Sequence, residues 1–274
     1  MSPFYADRMD RGLFEDDAAI RAIGQEGAVL LAAGYAILMQ LAHPKVAQGV
    51  YEHSDFAHRP LDRLNGTLSY VYAVVFGTRD EAERVGRAVR AAHGRISGPG
   101  YDSLDPELQV WVAATLYDGA LRVTERALHQ LPAETVEEAH PQYAVLATAL
   151  GCPEQMWPAS REAFVAYWQD MLAQLRVTDQ ARELVRQLRY PRNRLLRPAA
   201  ALQLFVATGL LPSQLRTQYG LRWGPRHEGA LRALFATVAR INPLLPLAVR
   251  RLPLTVCLWN LRRRARRPRR RAAR

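Results

Sequence analysis

A chain of 274 residues with 49% apolar side chains can bury a sizeable core in one large domain, which excludes a low-complexity or fibrous sequence. Its net charge of +11 belongs to one end: residues 262–274 carry nine arginines and no acid, leaving +2 on the rest. The two cysteines, Cys152 and Cys257, form neither a CxxC nor a CxxCH, which excludes a zinc knuckle, a disulfide framework and covalent c-type haem attachment and fits a reducing compartment.

Met1 to Asp17 mixes acids and bases without an apolar stretch and does not read as a secretory signal. The longest apolar run, Gly27 to Ala42, has 16 residues with Gln40 inside it and His43 after it. That is short of the roughly 20 residues a membrane span needs. Because it is apolar nearly all round, from Val29 to Leu41, it reads as a buried helix. A second polar group follows at His53, Ser54 and Asp55. Asp62 and Arg63 then open a helix containing Thr67, Tyr70, Val71, Val74 and Phe76. Arg63 and Thr67 stand four residues apart, on one face with the apolar positions, and are expected to enter the interior. A buried guanidinium needs an anionic partner: Asp55, Asp62, or a carboxylate or phosphate of a ligand.

Thr78 to Glu81 is a capping box opening a helix to about Ile96. Val85, Val89 and Ile96 line one of its faces, with Gly86, Ala92 and His93 on or beside it. His93 is therefore expected to face inward, with small neighbours leaving room for a flat cofactor. Neutral imidazole is the usual nitrogen ligand of haem iron. Periodicity alone reaches a buried polar pocket between the first helices. A satisfied core histidine, a glycine serving close helix packing and a structural Arg63–Asp tie would leave the same pattern.

Gly98-Pro99-Gly100 reads as a helix stop, and Asp105-Pro106 as an N-cap with proline at the first helical position. The helix after it carries Leu108, Trp111, Val112, Thr115 and Leu116 on one stripe. Thr135 to Glu138 reads as another capping box, Gly151-Cys152-Pro153 as a break, and Ser160 and Thr178 as N-caps. Pro191, Pro198, Pro212 and Pro225 cut the last third into short pieces, and period-2 alternation is scarce throughout. The expected architecture is all-α, a single multi-helical domain of roughly ten to twelve helices over residues 1–261. An arginine-rich tail over 262–274 is expected to be disordered.

The ordered series Leu38-Met39-Gln40-Leu41-Ala42-His43-Pro44, His53-Ser54-Asp55-Phe56, Arg63-Leu64-Asn65-Gly66-Thr67, Val75-Phe76-Gly77-Thr78, Val89 to Gly98 around His93, and Leu104-Asp105-Pro106-Glu107-Leu108 with Trp111 resembles the bacterial branch of the MpaB/rubber oxygenase (latex-clearing protein) catalytic domain family. The resemblance is detailed from about Gly24 to Asp118 and looser beyond, through Gly151-Cys152-Pro153 and Trp157-Pro158-Ala159. It implies an all-α fold around one non-covalent haem b, with His93 as the proximal iron ligand and Arg63 and Thr67 as polar pocket residues. In the rubber-cleaving branch the corresponding motif is Arg-x-x-Lys-Thr, whose lysine can close the distal side. Gly66 stands there instead, which implies an open or differently capped sixth position, with His43 or His53 as candidate distal groups. The implied reaction is oxygenation of a lipophilic small molecule or alkene by dioxygen or peroxide.

Two other readings stay open. Glu137-Glu138-Ala139-His140 holds one Glu-x-x-His, where di-iron bundles need two, and His43, His53, Asp55 and His58 could make a mononuclear non-haem site. A non-catalytic helical protein could use the arginine tail on an anionic membrane surface, aided by the proline-broken apolar stretch Leu244 to Trp259. The tail lacks the interleaved aromatics of a nucleic-acid surface. The expected location is cytoplasmic, or peripheral on the inner face of the membrane.

Overall fold

The computed structural model describes residues 11–53 and 60–266, with the backbone alone described for 60–64. Ser54, Asp55, Phe56, His58 and the arginines beyond 266 lie outside the described residues. Among the described residues the fold is a single all-α domain with one two-residue β-hairpin. Eleven of its α-helices have nine residues or more, within the expected range.

The longest helix, α6 (Pro106–Ala127), runs through the middle and buries Trp111, Tyr117 and a row of alanines. Its start is the expected one: Asp105 accepts from the Glu107 N–H at 3.0 Å with Pro106 next in line. Three shorter helices precede the hairpin pair: α1 (Ala19–Gly24), α2 (Ala33–Leu41) and α3 (Pro44–His53). Small residues allow α2 to lie close on α6. A Cβ on Gly119 would meet the Tyr35 ring at 3.2 Å, and Gln40 Nε2 donates to Thr115 Oγ1 at 2.9 Å.

The apolar run is not one helix. Gly27–Ala32 is 3-10 and only Ala33–Leu41 is α-helical. The cause is Gln203, on α11 (Arg197–Leu210). Its amide nitrogen donates to the Leu30 carbonyl at 3.0 Å and its oxygen accepts from the Gly34 N–H at 3.1 Å. Those two backbone groups would otherwise bond each other in an α-helix, so the inserted side chain breaks the ladder. A second break follows at His43, where the chain bends by 103° into α3.

The next pair, α4 (Pro60–Phe76) and α5 (Arg79–His93), is joined by Gly77 and Thr78 alone and packs along its length. The expected capping box is present: Thr78 Oγ1 accepts from the Glu81 N–H at 3.2 Å and Glu81 Oε2 from the Thr78 N–H at 3.0 Å. Here α5 ends at His93, before the expected Ile96. Gly98-Pro99-Gly100 is a hairpin turn between β1 (Ser97–Gly98) and β2 (Tyr101–Asp102), with proline and then glycine at φ +85° in the order a tight turn requires.

The proposed capping box at Thr135 is corrected. α7 (Ala133–Gln142) starts earlier, because Pro132 sets its N-cap dihedrals, and Thr135 lies inside it. Its Glu138 and Gln142 serve the start of α1 instead, accepting from the backbone N–H groups of Ala19 and Ile20 at 3.5 and 2.8 Å. Ser160 and Thr178 cap α9 (Arg161–Gln174) and α10 (Asp179–Arg189) as read, after the short α8 (Val145–Thr148). The chain closes with α12 (Ser213–Tyr219), α13 (Pro225–Ile241), α14 (Leu247–Arg250) and α15 (Leu252–Arg266). The expected boundary at residue 261 falls inside α15, since Arg262 is drawn onto Glu81 at 2.8 Å and the helix continues past it. No single helix among the described residues is long and apolar enough to cross a membrane.

Candidate functional site

The α4–α5 hairpin sets the geometry of the site. From its turn, Arg63 lies thirteen residues back along α4 and His93 fourteen residues forward from Arg79 along α5. At the rise of an α-helix both distances are roughly 20 Å, so the two positions are level at the open end of the pair. The side chain of Arg63 lies outside the described residues. Thr67, expected to enter the interior, is instead exposed, as are Asn65 and Gly66 beside it. The buried part of α4 begins only at Tyr70. Among the described residues, a Cβ on Gly66 would meet nothing within 4 Å.

On α5 the inward face runs through Ala82, Val85, Gly86 and Val89 and reaches His93 at the last position. The His93 ring is half-buried, and its Nδ1 is shielded from solvent. Its carbonyl accepts from the Ser103 hydroxyl and the Ile96 N–H, each at 2.7 Å, fixing the helix end. Gly86 allows a close helix contact. A Cβ there would stand 2.8 Å from the Ala149 carbonyl oxygen, so its bare backbone serves the approach of the chain just after α8.

The segment that follows His93 meets α3 through Tyr101 and the end of α5 through Ser103. His53 Nε2 lies 2.7 Å from the Tyr101 hydroxyl, which donates to Glu52 Oε2 at 2.5 Å. Tyr101 is pushed up to about 12, by that hydrogen bond first and then by burial. Glu52 is held below the usual carboxylate range by the same bond and by Gln48. Close approach explains two glycines here: a Cβ on Gly49 or Gly98 would meet the Tyr101 ring at 3.3 or 2.7 Å. Further along, Asp105 pairs with Lys45 at 3.6 Å, two residues after His43. Burial, then the charge of Lys45, pushes His43 below its usual range, against the pull of Asp105 and Glu107. Among the described residues its buried Nδ1 has no hydrogen-bond partner. Ser103 meanwhile holds the end of α5. Segment 97–105 thus touches His53 through Tyr101 and holds the end of α5 through Ser103, while His43 feels the charge of its Asp105.

That segment was not legible as a site component. Tyr101, Glu52 and Ser103 carry no motif, and only the antiparallel pairing Ser97 to Asp102 and Gly98 to Tyr101 turns the tyrosine towards α3.

The Glu-x-x-His at Glu137 to His140 is split between surface and core. His140 is buried, with Nε2 2.9 Å from the Pro158 carbonyl, and packs among Tyr117, Trp157 and Phe164, while Glu137 pairs with Arg161 at 3.0 Å. Among the described residues no group of three or more His, Cys, Asp and Glu side chains is placed to hold a metal ion. A polar cavity of about 390 Å³, lined by Arg11, Arg21, Thr78 and Arg262 among others, lies at the turn end of the hairpin, away from His93.

Residues 20–240 match the model of the family described as ER-bound oxygenase mpaB/B'/Rubber oxygenase, catalytic domain. A Mycobacterium tuberculosis protein and a Mycobacterium bovis protein, both named as uncharacterized, are each 30% identical to the chain over 249 residues. Each alignment covers 85% of this chain and 96% of the relative. No solved structure matches the chain significantly.

Proposed function

Because the chain belongs to the MpaB/rubber oxygenase catalytic domain family, we propose that it is a haem b-dependent oxygenase of lipophilic small molecules or alkenes, with His93 as the iron ligand. The family supports oxygenase chemistry in general. The observation that favours the finer reading is the position of His93: a half-buried imidazole on the inward face of α5, at its last turn, level with Arg63.

The residues fit such a group in three ways. An imidazole nitrogen is the common protein ligand of haem iron. The helix end that presents it is fixed, since the Ser103 hydroxyl and the Ile96 N–H both hold the His93 carbonyl. On α4, Asn65, Gly66 and Thr67 are exposed, and no described residue lies within 4 Å of a Cβ at Gly66.

Haem b, when bound, would supply the activation of dioxygen or peroxide, and the chain supplies binding, orientation and electrostatics. Arg63, at the mouth of the hairpin, would pair with a propionate or another anionic group. Thr67 would offer a hydroxyl on the same helical face, one turn further in. Burial and then Lys45 push His43 below its usual range, which favours the neutral ring, and its buried Nδ1 could take part in a hydrogen bond with a bound group. His53 has its Nε2 engaged by Tyr101, which restrains its ring and weakens it as a distal candidate relative to His43. The lysine-free position at Gly66 argues against a side-chain cap from α4 and so against a close copy of the rubber-cleaving arrangement.

The direct test is the haem content and absorption spectrum of protein purified from cells supplied with a haem precursor. The reading predicts close to one haem b per chain and a Soret band. Protein that neither retains haem nor takes it up on titration would overturn it.

A further inference from the structure

Residues 243–249 read Pro-Leu-Leu-Pro-Leu-Ala-Val, without a polar side chain, and all seven are exposed, Leu244 to 80%. This stretch is held in place at both ends. Asn242 before it and Arg250 after it both donate to Glu26, whose carboxylate is almost wholly buried: Asn242 Nδ2 and Arg250 Nε each reach Oε2 at 3.1 Å, and Arg250 Nη2 bonds Oε1. Arg251 turns the same way, onto Gln25. A Cβ on Gly27 would lie 2.8 Å from the Arg250 carbonyl, so the clamp rests directly on the backbone. One buried acid thus fixes a fully apolar protrusion in water.

The helix that follows extends the apolar surface. Leu252, Val256 and Trp259 of α15 are exposed at spacings of four and three, which places them on one stripe. Arg263 continues it, with its guanidinium carbon 5.1 Å from the centre of the Trp259 ring. Several polar groups between are engaged internally: Thr255 donates to the Arg251 carbonyl, Arg250 and Arg251 go to Glu26 and Gln25, and Arg262 goes to Glu81, while Asn260 is exposed. Arg263, Arg264 and Arg266 stay exposed, no acid occurs after Glu228, and more arginines follow in the sequence.

We propose that Pro243–Val249 and the Leu252–Val256–Trp259 stripe dock into the interface of an anionic lipid membrane, with Arg263, Arg264 and Arg266 on its phosphates. An apolar protrusion, an aromatic at its margin and a cationic end are the ordered parts of an interfacial anchor. Charge complementarity selects the occupant: a twofold contact between copies centred on Trp259 and Arg263 would bring like charges together, whereas anionic headgroups neutralise them. The inner side of α15 packs on α4, with Cys257 Sγ 3.5 Å from Ser69 Oγ, so docking places the helix bearing Thr67 next to the lipid phase. The proposal does not depend on the haem reading.

The test is co-sedimentation of the full chain with phosphatidylcholine vesicles, with and without phosphatidylglycerol. Binding is expected to the anionic vesicles and to weaken with salt. It should fall at least about tenfold in Leu244→Glu/Leu247→Glu and in Arg263→Glu/Arg264→Glu, both folded by melting temperature. Three results would overturn the proposal. One is no binding by the unaltered chain. Another is equal binding by the Leu244→Glu/Leu247→Glu variant, which would leave the arginine tail acting alone. The third is a lipid-free dimer that this variant dissociates without changing vesicle binding, which would make the face a contact between copies.

Discussion

The Tyr101 hydroxyl and the His53 ring meet at 2.7 Å, joining the hairpin that follows α5 to the last residue of α3. Because the same hydroxyl donates to Glu52, one tyrosine grips the last two residues of α3. Tyr101→Phe removes both bonds while keeping the ring against Gly49 and Gly98. The Glu52 carboxyl should then titrate closer to the usual carboxylate range, since its largest stabilising partner is gone. Amide exchange over residues 97–103 should quicken while the remaining helices stay protected. Carboxyl titration by NMR and hydrogen exchange check the two halves separately.

Glu26 gives a pH-dependent clamp. Burial pushes its carboxyl up, but hydrogen bonds from Arg250 and Asn242 and the charge of Arg250 outweigh this and hold it below the usual range. A depressed carboxylate contributes stability that is complete above its unfolded value and is lost as pH falls through the folded one. Glu26→Gln should therefore lower the melting temperature by a constant amount above about pH 5, and the gap to the unaltered protein should close in stronger acid. The cost at neutral pH should be roughly 1–3 kcal/mol, below that of a fully buried pair because Arg250 keeps some access to water. A gap that widens on acidification would contradict the assignment.

Two helical glycines should respond to alanine in opposite directions. At Gly86 the new methyl would meet the Ala149 carbonyl at 2.8 Å and force α5 and α8 apart, costing roughly 1–3 kcal/mol. Gly66 has no described residue within 4 Å, so alanine there should stabilise the helix by roughly 0.5–1 kcal/mol. Thermal melts of the two variants decide this. Equal destabilisation would mean that the Gly66 side of α4 is covered rather than open.

Local signals with one strong physical cause were legible in the sequence. The capping box at Thr78 and the N-caps at Asp105, Ser160 and Thr178 all form, because a short polar side chain beside orphan N–H groups acts within its own turn. Failures came where a distant partner decides. Nothing local in Gly27 to Leu41 announces that Gln203, far along the chain, will split it into 3-10 and α segments. Thr135 to Glu138 has the letters of a capping box, but Pro132 starts the helix earlier and Glu138 is used on α1. At the site, periodicity placed His93 on the inward face of α5. The same argument buried Thr67, which is exposed because the apolar face of α4 is covered only from Tyr70 onward. At Gly86 the pattern allows either room for a cofactor or close helix packing, and the Ala149 carbonyl beside it supplies a packing role. Periodicity identifies which face points inward, but not what stands opposite it.

The central claim is that His93 binds haem iron. The most direct measurement is a hemin titration of the unaltered protein and His93→Ala, followed in the Soret region with and without added imidazole. The account predicts a saturable ferric spectrum at one haem per chain for the unaltered protein, loss of that spectrum in His93→Ala, and its partial return with imidazole. A variant that binds haem fully, with an unchanged spectrum and no response to imidazole, would contradict it.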